Sequence, residues 1–172
     1  MKMIMRATCT YAVLLFWLAF CGAQEALTPV ETTLCELYQN PEQYAGKMIR
    51  VRGGSVSDLR IENTRHDSPA VKCSAYMRLV VVFPDQVKPE PPFQLIRDES
   101  YKKLDEALHS PGPIHIDATY EGRFDPAFVW RNGKRIRVSQ NQVKGYGNKH
   151  QYDGRIVLRQ VSDVWTKRLP QR

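Results

Sequence analysis

Met48-Ile49-Arg50-Val51-Arg52-Gly53-Gly54 is the stretch of sequence that decides the fold. Its first five residues alternate, with Ile49 and Val51 on one side of an extended chain and Met48 and both arginines on the other. Alternation with a period of two predicts a half-buried strand, here with a basic outer face. The glycine pair that follows permits the bulge or sharp bend that a strand needs at the corner of a small barrel. We therefore expect a curved sheet.

Four further strands are predicted downstream. Residues 55–61 continue as a second strand region, with Val56 facing inward. Residues 75–83 (AYMRLVVVF) are rich in branched and aromatic side chains and end in five apolar ones, which favours a strand in the middle of the sheet. Residues 114–124 alternate, and residues 155–164 form the last strand. The apolar face of the alternating strand carries Ile114, Ile116, Ala118 and Tyr120.

Two helices are predicted from their capping residues. Thr33 and Glu36 fit a capping box, in which each side chain accepts a hydrogen bond from the other residue's backbone N–H. The helix they begin runs through Tyr38 and ends before a turn over residues 41–47, because a proline disfavours helical geometry in the residue before it. Residues 98–109 form the second helix, whose first residue is an aspartate suited to the cap.

The order of these elements is short helix, three strands, helix, two strands. Three strands, a helix and two strands is the order expected of an OB-fold, a small five-stranded partly open barrel. We therefore predict a mainly β fold, a five-stranded OB-like barrel with one helix between strands 3 and 4 and a short N-terminal helix. Another small β-barrel and an open α+β sandwich remain alternatives.

The first twenty-three residues have the order of a secretory signal. Lys2 and Arg6 give a positive start, and residues 11–20 are an unbroken apolar run. Cys21-Gly22-Ala23 then supplies the small residues that a signal peptidase needs. The apolar run is shorter than an ordinary membrane span of about 20 residues. We expect cleavage after this stretch and export to the periplasm or the exterior.

An uncleaved anchor is one alternative. Lipidation at Cys21 is another, because Leu18-Ala19-Phe20-Cys21 resembles the box cut before lipoprotein cysteines.

The predicted organisation has four parts: a signal peptide at 1–23, a polar lead-in at 24–32, an OB-like barrel domain at 33–166 and a basic tail at 167–172. No transmembrane segment is expected after signal cleavage. The leader carries two of the seven formal net positive charges, so the rest of the chain keeps +5. Such a charge favours anionic partners such as nucleic acid, acidic glycans or lipid headgroups, and it is also common in exported proteins that have no such partner.

Two cysteines, Cys35 and Cys73, remain after the predicted leader. An even pair in an exported domain predicts a disulfide. Two free thiols are the alternative. The sequence has no CxxC pair and no cysteine–histidine spacing typical of zinc, so no metal site is predicted.

The stretch from residue 123 to residue 155 carries eight lysines and arginines against two aspartates, with aromatic residues between them. Aromatic rings stack on bases or sugars while cations hold phosphates, which is how single strands are bound. Asn132-Gly133 inside it is a strong hairpin signal. The alternative is a long solvated loop whose aromatic residues are packing anchors. The candidate ligand-binding residues are Trp130, Lys134, Arg135, Arg137, Lys144 and Tyr146.

Motifs of known catalytic chemistry are not found in the sequence. None of the four histidines stands in a metal-binding spacing, and no GxSxG or phosphate-cradling loop occurs. His66-Asp67 could act as an acid–base pair, but neighbours in a loop usually point apart. We therefore predict no catalytic, cofactor-binding or metal-binding residue and no cofactor.

Residues 40–53 (NPEQYAGKMIRVRG) resemble a pattern of exported bacterial OB-like domains, small proteins of unknown function. Leu34-Cys35, Cys73 and Val161-Ser162-Asp163-Val164 add to the resemblance. It implies the fold and brings no activity with it. The function expected is therefore a non-catalytic binding module for an anionic polymer, either glycan or nucleic acid, or for a protein partner. A structural or assembly component of the cell envelope and a hydrolase with a spatially assembled site are the alternatives.

Overall fold

A curled sheet carries most of the strands, and a separate two-stranded hairpin carries the rest. The computed structural model describes residues 28–56, 58–62, 77–138, 146 and 151–170. In chain order the elements are β1 Val30–Thr32, α1 Leu34–Gln39, α2 Pro41–Tyr44, β2 Met48–Val56, β3 Arg60–Ile61, β4 Leu79–Val82, a 3-10 turn Pro84–Gln86, α3 Glu99–His109, β5 Ile114–Pro126, β6 Phe128–Arg131, β7 Lys134–Arg137 and β8 Gly154–Arg168.

The sheet is a half-barrel of six strands in the order β1-β2-β5-β8-β4-β3. Two neighbours, β1 with β2 and β4 with β8, are parallel, and the others are antiparallel. One bridge joins β2 to the residue after β3: the Gly54 N–H donates to the Glu62 carbonyl at 3.0 Å, and the Glu62 N–H donates back at 2.8 Å. The predicted mainly β class is confirmed. The five-stranded OB-like barrel stays a prediction, because a single bridge joins these two strands.

The core lies between the inner face of the sheet and the helices α1 and α3. The apolar face predicted for the alternating strand is buried throughout in β5. Leu37 of α1 and Leu104 of α3 are fully buried in the same cluster. The side chains from the sheet that fill it include Ile49, Val51, Tyr120, Phe124, Ile156 and Leu158.

Both helix starts follow the sequence prediction. The Glu36 N–H donates to Thr33 Oγ1 at 3.1 Å, and the Thr33 N–H donates to Glu36 Oε2 at 2.9 Å. The Tyr101 N–H donates to Asp98 Oδ1 at 3.0 Å and caps α3. The turn expected over residues 41–47 is wrong in part, because Pro41–Tyr44 forms α2. Proline is tolerated in the first helical turn, where its missing N–H has no intrahelical partner.

Of the bulge or sharp bend expected at the glycine pair, the bulge is wrong. β2 runs through both glycines in unbroken register with β5, from Met48 opposite Arg123 to Val56 opposite His115. Gly53 is instead a point of close approach, since a Cβ there would overlap Ile61 Cγ2 and lie 3.3 Å from the carbonyl oxygen of Glu62. A side chain at this position would therefore push β3 away from β2.

The side on which Val56 lies also differs from the prediction. Without a bulge the alternation continues, so buried Ser55 takes the inner position and Val56, which is 48% exposed, lies on the outer face. A change of one residue in register exchanges the two faces of a strand. β3 is only two residues long, so most of the second strand predicted over 55–61 belongs to β2.

The strands β4 and β8 also differ from their predicted lengths. β4 covers the last part of the apolar run and has β3 and β8 as neighbours, which confirms its place inside the sheet. β8 continues to Arg168, where it pairs with Ile114, and so extends into the predicted tail at 167–172.

The outer face of β2 carries arginines, as predicted, but carboxylates from neighbouring strands hold them. Arg50 lies 2.7 Å from Glu121 and 2.7 Å from Glu31, and Arg52 lies 3.0 Å from Asp117. The hydrogen bond with Glu121 is the main cause that raises the pKa of Arg50. These arginines are therefore neutralised locally and do not form an open cationic surface.

The predicted signal peptide at 1–23, with Cys21, lies outside the described residues, and so does Cys73. Across residues 28–56, 58–62, 77–138, 146 and 151–170, no helix has the length and apolar character needed to cross a bilayer. Cys35 is buried in α1 and receives a weak hydrogen bond from Gln39 at 3.5 Å. The disulfide between Cys35 and Cys73 stays a prediction.

Gly53→Ala should lower the free energy of unfolding by about 1–3 kcal/mol, because the new methyl group overpacks against Ile61. Ile61→Ala alone should also destabilise, since it opens a cavity. The double variant should lose less than the sum of the two, because removing Cγ2 relieves the overlap. Urea unfolding of the four proteins measures this coupling, and strictly additive losses would contradict the steric explanation.

Asp98→Ala should cost about 1 kcal/mol at neutral pH, the usual worth of an N-cap. The hydrogen bond from the Tyr101 N–H is the main cause that lowers the pKa of Asp98. A carboxyl whose pKa is lower in the folded state stabilises fully above its unfolded pKa of about 3.9, and this contribution disappears as the pH falls through the folded pKa. The difference between wild type and variant in urea unfolding should therefore shrink below about pH 4.

The matched control for the cap is Glu106→Ala, which removes an exposed carboxylate later in the same helix. Its cost should be small and should not follow the same pH dependence. An Asp98→Ala difference that stays constant from neutral pH to pH 3 would contradict the charged cap.

Candidate functional site

The hairpin of β6 and β7 supplies most of the candidate residues. Its turn is Asn132-Gly133, with φ of 50° and 71°, which is the left-handed pair that a two-residue type I′ turn needs. This confirms the hairpin predicted from the sequence. Phe128 pairs with Arg137 and Trp130 with Arg135.

The two faces of the hairpin differ in what they contact. Side chains of paired residues lie on the same side of a hairpin, so Phe128, Trp130, Arg135 and Arg137 share the face that turns toward the sheet. Lys134 and Ile136 lie on the opposite face and are exposed. The structure thus brings two predicted cations together with Trp130 and separates Lys134 from them.

A cleft of about 330 Å³ opens beneath the hairpin, where three neighbouring strands meet. Arg78 directly precedes β4, Asp153 directly precedes β8, and Ala127 directly follows β5. The pairs Leu79–Gly154 and Pro126–Gly154 put these three strand ends in one row. We call this the arginine cleft. Its lining residues include Arg78, Phe128, Arg135, Arg137, Gln151 and Asp153.

Asp153 organises the arginine cleft. Its side chain is only 6% exposed, and its Oδ1 lies 2.5 Å from Arg135 Nη2. Its Oδ2 accepts the Arg78 N–H at 3.1 Å and lies 3.5 Å from Arg78 Nε. Backbone bonds fix the same residue, since the Asp153 N–H donates to Arg78 O at 2.9 Å and the Ala127 N–H donates to Asp153 O at 2.8 Å. One buried carboxylate therefore positions two arginines.

The arginines of the cleft stay accessible. The side chains of Arg78 and Arg135 are 50% and 46% exposed. Arg135 also lies over Phe128, with Cζ 3.9 Å from the ring centroid, a cation–π contact that restricts its side chain. Arg137 is exposed and has no ion pair among the described residues. Three arginines face one carboxylate here, so the cleft has a formal excess of two positive charges.

Three of the four other cations in the described part of the basic stretch have acidic partners. Arg123 and Arg155 share Asp125, at 3.0 Å and 2.8 Å. Arg131 pairs with Glu42 at 3.1 Å. Because two arginines share Asp125, that group keeps an excess of one positive charge, and the arginine cleft, with an excess of two, keeps more.

Trp130 is anchored against α1. Its Nε1 donates to the Tyr38 carbonyl at 2.8 Å. Its ring lies edge-on to those of Tyr38 and Phe128, with centroids 5.7 Å and 5.6 Å away. The alternative of a packing anchor thus describes part of its role. The same residue also borders a second recess beside α2, so it combines packing with partial accessibility.

Tyr146 lies apart from the arginine cleft. It forms an isolated bridge with Tyr152, and Arg155 lies over its ring at 4.8 Å. Burial is the main cause that raises the pKa of Tyr146. These contacts fit an anchor that holds the end of the basic stretch to β8. Lys144 lies outside the described residues.

The sequence interpretation missed Arg78 and Asp153 as site residues. Arg78 lies inside a predicted strand, and Asp153 counted only as one of two carboxylates in a basic stretch. They meet because β4 and β8 pair in parallel, a long-range contact with no local signal. The one local signal for this site is Asp153 itself, an isolated acidic residue in a basic stretch.

Two of the four histidines, His109 and His115, lie within the described residues, and His109 lies 3.4 Å from Asp105 on the exposed side of α3. His115 is half-buried beside Trp165, with ring centroids 6.0 Å apart. His66 and His150 lie outside the described residues. Within the described ranges, no three histidine, cysteine or acidic side chains stand close enough to hold a metal ion. The expected absence of a catalytic site stays a prediction.

Asp153→Asn should lower the free energy of unfolding by about 1–3 kcal/mol, because the amide cannot replace the charged acceptor of both arginines. Asp85→Asn is the matched control, since that carboxylate is exposed and has no ion pair among the described residues. Urea unfolding of both variants makes the comparison. A loss of less than about 0.5 kcal/mol for Asp153→Asn, as at ordinary surface sites, would contradict its organising role.

Protein-family models, curated proteins and solved structures give no match to this chain. The resemblance to exported bacterial OB-like domains therefore stays a prediction, and the function has to be argued from the residues of the cleft.

Proposed function

We propose that this protein is an exported, non-catalytic binding module whose arginine cleft takes an anionic polymer. The observation that carries the proposal is the arrangement of Arg78, Arg135 and Arg137 around the buried carboxylate of Asp153. The carboxylate compensates part of the charge, and an anionic ligand compensates the rest. The leader at 1–23 supports export to the periplasm or the exterior.

Guanidinium groups suit this task because their planar donor pairs match carboxylate, sulfate and phosphate groups. Binding normally costs the ordering of long side chains, and this cost falls when they are already held in place. Asp153 and Phe128 hold Arg135, and Asp153 holds Arg78. Arg137 remains available for the ligand. Arginines that are held in place and still accessible at an open cleft support a binding role more than a purely structural one.

The proposed fold is an OB-type barrel, with β2, β3, β4, β5 and β8 as its five strands and α3 between the third and fourth. The helix position, the parallel β4–β8 pair and the Gly54–Glu62 bridge support this assignment. In OB-folds the loop between the fourth and fifth strands flanks the ligand face. The hairpin and the arginine cleft belong to that connection in this chain, which supports a ligand site there.

A second candidate is a structural or assembly component of the envelope that docks a protein partner. Trp165 and Val56 are 50% and 48% exposed on the outer face of the sheet. His115 lies between them, paired with Val56 and in ring contact with Trp165. An exposed apolar group of this kind is typical of interaction surfaces. A partner retained by wild type and lost with Trp165→Ser would favour this candidate.

Arg137→Gln tests the anion site. We expect weaker binding to heparin, with the slope of log K against log salt smaller by about 1, since one ion-pairing cation is lost. The melting temperature should not change, because Arg137 has no ion pair among the described residues. Titrations between about 50 and 200 mM salt provide both quantities.

Lys103→Gln is the matched control, because it removes one positive charge from an exposed position of α3 with no ion pair among the described residues. Its binding should stay close to that of wild type. If both variants lose the same affinity for heparin, the effect comes from overall charge and not from the cleft. If wild type shows no salt-dependent binding to heparin, the proposal is refuted.

A further inference from the structure

We infer that the anionic polymer is an acidic glycan, whose pyranose ring lies in a recess beside Trp130 while its carboxylate or sulfate lies in the arginine cleft. The inference rests on the proposed function and names the ligand class. Its basis is the juxtaposition of a neutral recess lined by carboxamides with a cationic cleft, on one face of one hairpin.

The recess lies at the corner between α1 and α2 and holds about 250 Å³. We call it the amide recess. Its wall combines the ring of Trp130 with polar side chains from the helix corner, all of which are exposed. Its lining residues are Gln39, Asn40, Pro41, Glu42, Gln43 and Trp130.

Trp130 offers the recess an apolar surface and no donor. Its Nε1–H already bonds the Tyr38 carbonyl, so what remains for a ligand is the ring. The edge contacts with Tyr38 and Phe128 fix the ring in one orientation. A rigid aromatic face beside polar groups complements a sugar ring, which has an apolar C–H face and a polar rim.

The carboxamides supply the polar rim. Those of Asn40 and Gln43 have no hydrogen-bond partner among the described residues, and that of Gln39 makes only the long contact with Cys35. A carboxamide has both donors and an acceptor, and so it can bond two adjacent hydroxyl groups at once. Glu42, paired with Arg131, can accept a further hydroxyl.

The hairpin places the two sites side by side. Phe128 lines the arginine cleft and Trp130 lines the amide recess, and alternate residues of a strand lie on one face about 7 Å apart. Arg135, opposite Trp130, belongs to the same face. A polymer that carries rings next to anionic groups therefore matches two sites on one face of the hairpin.

The composition of the amide recess favours a glycan over a nucleic acid. The amide recess contains the carboxylate of Glu42, whose charge Arg131 offsets and which can accept a hydrogen bond from a sugar hydroxyl. Single-strand binding also relies on successive stacking rings, whereas the lining of the recess contains one aromatic residue. A neutral ring site next to a single anion site matches a uronic acid or a sulfated sugar.

The test compares two carboxylate polymers, polygalacturonate with rings and poly-L-glutamate without them, and adds single-stranded DNA. We expect wild type to bind polygalacturonate about tenfold more tightly than poly-L-glutamate at equal salt. Gln43→Ala, at an exposed helical position that suits alanine, should weaken polygalacturonate binding about fivefold and leave poly-L-glutamate unchanged. Gln94→Ala, an exposed glutamine outside the recess, is the control and should change neither.

The outcomes separate the two proposals. If both polymers bind equally and Gln43→Ala has no effect, the glycan inference is wrong while the anion site stands. Tighter binding of DNA than of polygalacturonate overturns the inference in favour of a nucleic acid. If no polyanion binds with salt dependence, the proposed function and the inference fail together. Trp130→Phe provides a second measurement, because it keeps an aromatic packing group. It should weaken the binding of polygalacturonate more than the binding of poly-L-glutamate.

Discussion

The antiparallel pairing of β5 with β8 is the constraint on which the rest of the structure depends. It runs from Ile114 opposite Arg168 to Pro126 opposite Gly154, and it has two shifts of register. One of them gives β8 an extra residue, Arg159, next to Gly122, where a Cβ would collide with the backbone of Val157. Such irregularities bend a strand and increase its twist. The curl of the sheet, and with it a single inner face for α1 and α3 to cover, follows from this pair.

The same pairing positions the candidate site. Because β8 lies between β5 and β4, the start of β8 stands next to the end of β5 and the start of β4. Backbone hydrogen bonds join the three strand ends at Asp153, whose N–H donates to the Arg78 carbonyl and whose carbonyl accepts the Ala127 N–H. Its carboxylate has lost most of its water, which is tolerable because two arginines and a backbone N–H replace the lost hydrogen bonds. The cleft is thus a product of strand register rather than of a flexible loop.

What the sequence could predict was local. The capping box at Thr33, the alternation of β5 and the Asn132-Gly133 turn each act within a few residues, and all three were predicted correctly. What failed depends on residues far apart in sequence. Position 53 needs a glycine because Ile61 of β3 packs directly against its backbone. The arginines of β2 are neutralised by carboxylates of β5. Trp130, Arg135 and Arg137 were recognised as candidates, but Arg78 and Asp153 are 75 residues apart and meet only in the folded sheet.

The hairpin is held at two independent points, by the Trp130 bond to α1 and by the Arg135 bond to Asp153 at the strand ends. These two contacts, together with the Val138 N–H bond to the Ala127 carbonyl, restrict how far it can move relative to the sheet. For the proposed ligand, this means that the face it would contact is already in place before association. The proposed function then predicts that collision frequency and long-range attraction set the association rate, while the contacts in the cleft set the lifetime of the complex.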